Sequence, residues 1–290
     1  MADHVKRLFA ILGFRAVLRI DGPDRADFLQ GLISNDVTKL ADNVAIYAAL
    51  LTAQGRFLHD LFLADFGDSF LLDCEAARLP DLTRRLTIYK LRSKVAIAPA
   101  DEFMVCAAFG NEALSALGLR PDAGAAIRFA GGVAFTDPRN QALGARLMVP
   151  RETESALTQL GFARTDAGDY DRLRLSLAIP DGGRDLVPEK SLLMESGFDD
   201  LNGIDWSKGC YIGQELTARM KYRALVKKQL VPVTVAGPMP EPGTPIISGE
   251  DEVGEIRSGR DSTALAVLRV DAMEKAPLRA GAAIISVRSR

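Results

Sequence analysis

The chain has few of the residues that build metal sites and disulfide frameworks. Its 290 residues include three cysteines and two histidines, His4 and His59. Cys74, Cys106 and Cys210 are far apart and odd in number, which indicates no disulfide framework and favours a reducing compartment. No cysteine–histidine spacing is typical of a zinc site or a four-cysteine iron–sulfur site. The sequence therefore predicts that this chain holds no metal unaided.

Long apolar runs and nucleotide-binding loops are also missing. No apolar stretch reaches the ~20 residues that span a bilayer, and the short run from Leu8 to Phe14 is not followed by a small-residue cleavage site. No G-x-G-x-x-G or Walker-type loop is present. The formal net charge is −2, so the surface as a whole attracts neither nucleic acid nor an anionic membrane. We expect a cytoplasmic protein with no membrane and no direct nucleic-acid partner.

The patterns that are present predict an α+β region followed by a small β-barrel. The order of elements favours a mixed α+β layer over a doubly wound parallel sheet. The predicted elements are a hairpin at 45–64, a strand at 70–74, a helix at 79–89 and a strand at 103–109. Prolines are dense from Gly237 to Pro245 and mark a boundary or an edge connection. Short strands on either side of it predict the barrel. We expect two domain regions: 1–229, with two intertwined α+β lobes, and 230–290, the barrel.

The most informative segment is the octamer Lys208-Gly209-Cys210-Tyr211-Ile212-Gly213-Gln214-Glu215. The residues from Gln214 onward favour a helix, so Cys210 lies just ahead of a helix N-terminus, whose partial positive charge favours a thiolate. Lys208 adds positive charge. The most basic stretch of the chain follows, and it contains Arg219, Lys221, Arg223, Lys227 and Lys228. We interpret Cys210 as a functional thiol.

Two other interpretations of Cys210 stay open. In the first, Cys210 is a small apolar residue in a turn, and the cations after it form a solvated face. In the second, Cys210 is a nucleophile paired with a histidine. His59 is the only candidate base, and nothing in the sequence brings His59 near Cys210. Cys74 and Cys106 lie in apolar strand patterns and are expected in the core.

Two acidic residues are further site candidates. Glu195 follows an apolar stretch, where a carboxylate could accept two N–H donors from a heterocycle; a surface or capping glutamate is the alternative. Asp60 lies in the second arm of the hairpin and could serve as a general base or hold an amine-bearing ligand. Neither signal is specific alone.

Taken together, these segments resemble a known family. The octamer resembles the signature of the YgfZ-type folate-binding proteins, relatives of the glycine-cleavage T protein (aminomethyltransferase) that act in iron–sulfur cluster assembly. The resemblance covers most of the chain, and its continuation through Arg219 is especially similar to the mitochondrial branch of cluster-assembly factors. The other matching segments are Phe28-Leu29-Gln30-Gly31-Leu32, Asn35-Asp36-Val37, the hairpin from Gln54 to Asp60, Arg184-Asp185-Leu186 with Pro188, Glu195, and Thr217-Ala218-Arg219.

The resemblance implies a ring of domains around a central channel that binds tetrahydrofolate or a derivative. It implies that Glu195 reads the pterin and that Asp60 lies where the T protein carries its catalytic aspartate. It also implies that Cys210 is the family's functional cysteine. Its implied supporting and folate-binding residues are Lys208, Tyr211, Gln214, Glu215 and Arg219. Two departures argue against aminomethyl transfer: His59 replaces the first of two adjacent acids, and the T protein lacks the octamer.

The leading hypothesis is a tetrahydrofolate-binding accessory factor for the assembly or maintenance of iron–sulfur enzymes, including enzymes that modify tRNA. Its expected partners are a reduced folate and iron–sulfur client or assembly proteins. One alternative is an enzyme that transfers one-carbon units with tetrahydrofolate and uses Asp60. Another is a protein–protein adaptor with a vestigial folate pocket. The sequence leaves open whether any turnover occurs.

Overall fold

The computed structural model describes residues 7–223, 225–274 and 277–288. His4 lies outside the described residues. The chain forms two compact units that alternate along the sequence. Unit 1 comprises the described parts of Met1–Leu51, Leu58–Tyr170 and Asp200–Ile212, and unit 2 comprises those of Thr52–Phe57, Asp171–Asp199 and Gly213–Arg290.

Unit 1 contains two β-sheets. In chain order its strands are β1 (Leu8–Ile11), β2 (Arg15–Asp21), β3 (Ala45–Leu51), β4 (Phe57–Phe66), β5 (Ser69–Glu75), β6 (Ala96–Pro99), β7 (Phe103–Phe109), β8 (Ala126–Phe129), β9 (Gly132–Thr136), β10 (Ala145–Pro150) and β11 (Ala163–Thr165). One sheet has the order β3-β4-β5-β2-β6. The other has the order β11-β1-β7-β10-β9-β8, and only its β1–β11 pair is parallel.

Short helices cover these sheets. They are α1 (Arg25–Gln30), α2 (Leu79–Lys90), α3 (Ala113–Ala116) and α4 (Glu154–Gln159). Leu82 and Leu86 of α2 are fully buried in the core that the first sheet shares with α1 and α2, as their four-residue spacing predicts. Phe9, Leu147 and Leu157 belong to a second core on the other sheet. The predicted hairpin and helix are confirmed.

Unit 2 is built around a closed β-barrel. Its helices are the part of α5 (Ala167–Ser176) from Asp171 onward, α6 (Gly182–Asp185) and α7 (Gln214–Tyr222). The strands that follow are β12 (Lys228–Ala236), β13 (Pro245–Ser248), β14 (Asp251–Arg260), β15 (Thr263–Arg269), β16 (Leu278–Ala280) and β17 (Ala283–Val287). The barrel order is β12-β15-β14-β13-β16-β17. Val233, Ile246, Ile256 and Leu268 are buried in its interior. The predicted C-terminal barrel is therefore confirmed.

Across the described ranges, none of the helices combines the length and apolar character that a bilayer crossing requires.

Candidate functional site

Cys210 lies in unit 1, exposed between two buried neighbours. Lys208 and Tyr211 are both buried, and the Lys208 ammonium lies 5.1 Å from the centre of the Tyr211 ring. Ile212 packs against the core of unit 1, and its N–H donates to the carbonyl of Gly31 at 3.0 Å. The thiol is accordingly presented to solvent by a segment that is fixed on both sides of it.

The Lys208 side chain is directed into unit 1. Its ammonium group donates to three backbone carbonyls, those of Gln30 at 2.9 Å, Ile33 at 2.6 Å and Asn35 at 2.7 Å. The first of these carbonyls belongs to the last residue of α1 and the other two follow the helix, where backbone acceptors lack helical partners. Burial lowers the pKa of Lys208 to about 8, against the opposing charges of Asp36 and Asp205. Lys208 thus anchors the octamer to unit 1, a role that the sequence did not indicate.

The last three residues of the octamer, Gly213 to Glu215, belong to unit 2. Gly213 precedes α7 with φ at 83°, a conformation that glycine adopts without strain. Gly55 lies beside this turn, where a Cβ would come within 2.8 Å of the Gly213 carbonyl oxygen and 2.9 Å of the Leu216 Cβ. Gln214 is half-buried, while Glu215 and Arg219 are exposed. These three predicted site residues therefore lie at the start and on the open face of α7.

The basic stretch after the octamer is exposed, as its interpretation as a solvated face predicts. Arg219, Arg223, Lys227 and Lys228 are all exposed in unit 2, and Lys221 forms an ion pair with Asp199.

Asp60 is buried in an ion-pair network within unit 1. The Arg15 Nη1 donates to both carboxylate oxygens of Asp60, at 2.9 and 3.2 Å, and the Arg15 Nε donates to Asp73 at 2.6 Å. Arg146 of β10 also pairs with Asp73 and lies 3.9 Å from the centre of the Phe62 ring. The side chain of Asp60 is only 2 % exposed. Its carboxylate is thus occupied by an arginine, whereas the sequence suggested a base or an amine ligand.

His59 points away from Asp60. Neighbouring residues of a strand face opposite sides of the sheet, and the His59 Nε2 lies 3.0 Å from the Asp81 Oδ2 on α2. Burial, helped by the charge of Arg78, lowers the pKa of His59 to about 4. His59 is therefore a neutral buried histidine, and the structure does not bring it to Asp60.

Glu195 lines a cleft of about 290 Å³ within unit 2. Burial raises the pKa of Glu195. Two effects of Lys228, its backbone N–H and its charge, oppose this rise, as does the charge of Arg56. Arg257 donates to Glu255 at 2.6 Å, and its buried Nε has no hydrogen-bond partner among the described residues. The other polar groups of the lining are Lys190, Ser191, Ser196 and Lys228. A carboxylate beside several cations can bind a ligand that carries both N–H donors and negative charge.

A second cleft, which the sequence did not indicate, lies within unit 1. Its volume is about 270 Å³. Asn35, Lys39, Tyr47 and Asn202 contribute its polar lining, and Ile46 is among its apolar residues. Asn35 donates to the carbonyls of Tyr47 and Asn202 at 2.7 and 2.8 Å, which fixes the amide in the cleft wall.

The other two cysteines are inert by position. Cys74 and Cys106 are fully buried, and burial raises the pKa of each thiol to about 12. Among the residues the structure describes, no three or more His, Cys, Asp or Glu side chains form a group that could hold a metal ion.

The fold matches that of a known enzyme. The crystal structure of the glycine cleavage system aminomethyltransferase T from Bartonella henselae superposes with a TM-score of 0.81 and covers 99 % of this chain and 86 % of that one. Sequence identity is 16 %, so the likeness shows the fold alone. The expected T-protein-like fold is confirmed. Residues 227–289 also match the family model described as the CAF17 C-terminal beta-barrel domain.

Sequence relatives carry one common description. The human mitochondrial iron-sulfur cluster assembly factor IBA57 is 34 % identical over 274 residues, which are 88 % of this chain and 75 % of the relative. The mouse protein of that name is 33 % identical and matches 96 % of this chain and 81 % of its own length. A homologue from Dictyostelium discoideum is 29 % identical over 81 % of this chain and 64 % of its own.

The predicted cytoplasmic location is wrong by this comparison, because these relatives are mitochondrial proteins. The cysteine count favoured a reducing compartment, but it does not distinguish between compartments that keep thiols reduced.

Proposed function

Because this chain belongs to the family of the iron-sulfur cluster assembly factor IBA57, we propose that it presents Cys210 to a cluster or to a thiol of an iron–sulfur partner while a reduced folate binds elsewhere on the chain. The expected partners are assembly proteins and client enzymes, including tRNA-modifying ones. The observation that carries this proposal is the exposed thiol held between the buried Lys208 and Tyr211. A single fixed thiol can supply one ligand to a cluster whose other ligands come from a partner.

The proposed folate site is the cleft around Glu195. Its carboxylate can accept paired N–H donors of a pterin, and the surrounding cations Lys190, Lys228 and Arg257 suit the carboxylates of the folate tail. The half-buried position strengthens such hydrogen bonds, since they are screened less by water. Tetrahydrofolate or one of its derivatives is the proposed ligand.

Aminomethyl transfer is the less favoured function. It would use Asp60 as a base or as a ligand for an amine, but Arg15 donates to both oxygens of that carboxylate. A buried carboxylate whose two oxygens both accept from an arginine is occupied by that partner and is not directed toward a ligand.

Replacement of the thiol in cells tests the proposal. Cells that lack their own copy of this factor would receive the wild-type chain, Cys210→Ser or Ser207→Ala, and the activity of an iron–sulfur enzyme would be measured. Ser207 is an exposed neighbour in the same segment, so Ser207→Ala is the matched control. We expect Cys210→Ser to lose the support and Ser207→Ala to keep it. Full support by Cys210→Ser at normal protein level would refute the role of the thiol.

A further inference from the structure

Helix α2 carries apolar residues on its solvent side as well as on its core side. Leu82 and Leu86 are fully buried, whereas Ile88 is 60 % exposed and Leu91, directly after the helix, is 87 % exposed. With 3.6 residues per turn, Arg84 and Ile88 lie on the side opposite Leu82 and Leu86. Packing within unit 1 therefore does not account for an isoleucine and a leucine at this end of the helix.

The backbone of Leu91 adds a second observation. Its φ is 43°, a positive value that bulky residues rarely adopt, and its ψ of −109° lies outside the left-handed helical region as well. The strain is not offset by burial of the side chain, which is almost fully exposed. Strained positions of this kind are concentrated at functional sites.

The chain segment that carries these apolar side chains is rich in cations. Residues 82–100 contain the cations Arg84, Arg85, Lys90, Arg92 and Lys94 and no aspartate or glutamate. Arg84 and Arg85 contact Asp81 at 2.6 and 2.7 Å. We call Ile88, Tyr89, Lys90, Leu91, Arg92 and Lys94 the α2 tip. The net charge of −2 for the whole chain conceals this local excess of cations.

We propose that the α2 tip binds the surface of an anionic lipid bilayer. Leu91 and Ile88 enter the boundary between headgroups and acyl chains, and Tyr89, which is 42 % exposed, lies at the headgroup level. Lys90, Arg92 and Lys94 meet the lipid phosphates, and their long apolar stems follow the leucine toward the acyl region. The protein binds peripherally and reversibly, which revises the expectation of no membrane partner.

A bilayer suits these side chains better than a protein partner. Leu91 and Ile88 project from the surface, whereas a stable protein interface needs about 20 residues from each side. A few projecting apolar side chains among cations are sufficient for a bilayer, because insertion of apolar groups and attraction to anionic lipid add together. An acidic protein surface is the other possible occupant, and the experiment separates the two.

Vesicle sedimentation tests the proposal with the full chain. Wild-type protein would be mixed with phosphatidylcholine vesicles, either pure or with about a third phosphatidylglycerol. We expect binding only to the anionic vesicles, and weaker binding as salt is raised, because salt screens surface charges. Ile88→Ser/Leu91→Ser and Lys90→Glu/Arg92→Glu should each lower the partition coefficient about tenfold or more.

Arg279→Glu/Ile284→Ser is the matched control. This pair lies in the barrel, where Arg279 is exposed and Ile284 is 47 % exposed, so it removes the same kinds of group elsewhere. We expect it to bind anionic vesicles like the wild type, and circular dichroism melting would show that every variant folds. Failure of the wild type to bind anionic vesicles, or equal binding by the α2-tip variants, would overturn the proposal. If the wild type binds no vesicles but the α2-tip variants lose a protein complex that the purified wild type forms, the tip binds an acidic protein instead.

Discussion

The ammonium group of Lys208 lies 2.6 Å from the carbonyl oxygen of Ile33, and both residues are buried. Two further carbonyls, of Gln30 and Asn35, accept from the same ammonium. The lysine of the octamer therefore satisfies the backbone after α1 and fixes the chain two residues before the exposed thiol. It acts on Cys210 through position, whereas the sequence suggested an effect through charge.

We expect Lys208→Met to lower the free energy of unfolding by about 3 kcal/mol, because it keeps the apolar stem and leaves buried carbonyls without a donor. Urea unfolding followed by fluorescence measures this locally, since Trp206, the single tryptophan of the chain, is two residues away. Lys39→Met is the control. Lys39 is largely exposed and pairs with Asp205, so its loss should cost less than about 1 kcal/mol. Equal effects of the two substitutions would contradict the anchoring role.

Local periodicity predicted the parts of the fold whose apolar residues repeat regularly. The strand pattern after Gln54, the leucine spacing of α2 and the short barrel strands all correspond to observed elements. Strands β1, β8 to β11 and β16 were not predicted. Strands β9 and β10 are buried at nearly every position and so show no alternation, whereas β1, β8, β11 and β16 have only three or four residues.

The candidate site was predictable only in part. The exposed thiol of Cys210 lies just before α7, as the glycines and helix formers of the octamer suggested. The partners of Lys208 were not predictable, because they are more than 170 residues away in sequence, and the Arg15 partner of Asp60 is 45 residues away. Such pairs are set by sheet pairing and tertiary packing, which leave no short-range pattern. The cleft around Glu195 likewise combines residues that are distant in sequence, from the segment after α6 and from strands β12, β14 and β15.

Removal of the Asp60 charge should destabilise the chain. Asp60→Asn leaves the buried Arg15 with an incomplete set of charged partners, and breaking such a pair costs about 3–5 kcal/mol. Chemical denaturation measures the loss. Glu102→Gln, which breaks the more exposed pair with Arg19, should cost less than about 1 kcal/mol. We also expect Arg15→Met/Asp60→Leu to be more stable than Asp60→Leu alone, since it removes the excess positive charge and leaves Arg146 paired with Asp73. A double variant that is less stable would argue against the pairing.

Stability should depend on the protonation of His59. Its pKa is about 4 in the folded chain and about 6.5 when unfolded. Between these values the unfolded chain binds more protons, so stability is complete above pH ~6.5 and falls as the pH drops toward 4, by up to about 3 kcal/mol. Urea titrations across this range measure the slope. His59→Leu should be less stable at neutral pH but show a shallower slope; an unchanged slope would assign the pH dependence to other groups.

Glu195→Gln should weaken the binding of tetrahydrofolate about tenfold or more. An amide offers one acceptor where the carboxylate offers two, and hydrogen bonds to charged groups contribute about 1.5–3 kcal/mol. Titration calorimetry with tetrahydrofolate measures the change. Ala123→Trp serves as the control, because Ala123 is an exposed residue of the unit 1 cleft and a tryptophan there would fill it without disturbing the core. Binding that survives Glu195→Gln but is lost in Ala123→Trp would move the folate to unit 1, and no binding by the wild type would favour an adaptor without a working folate pocket.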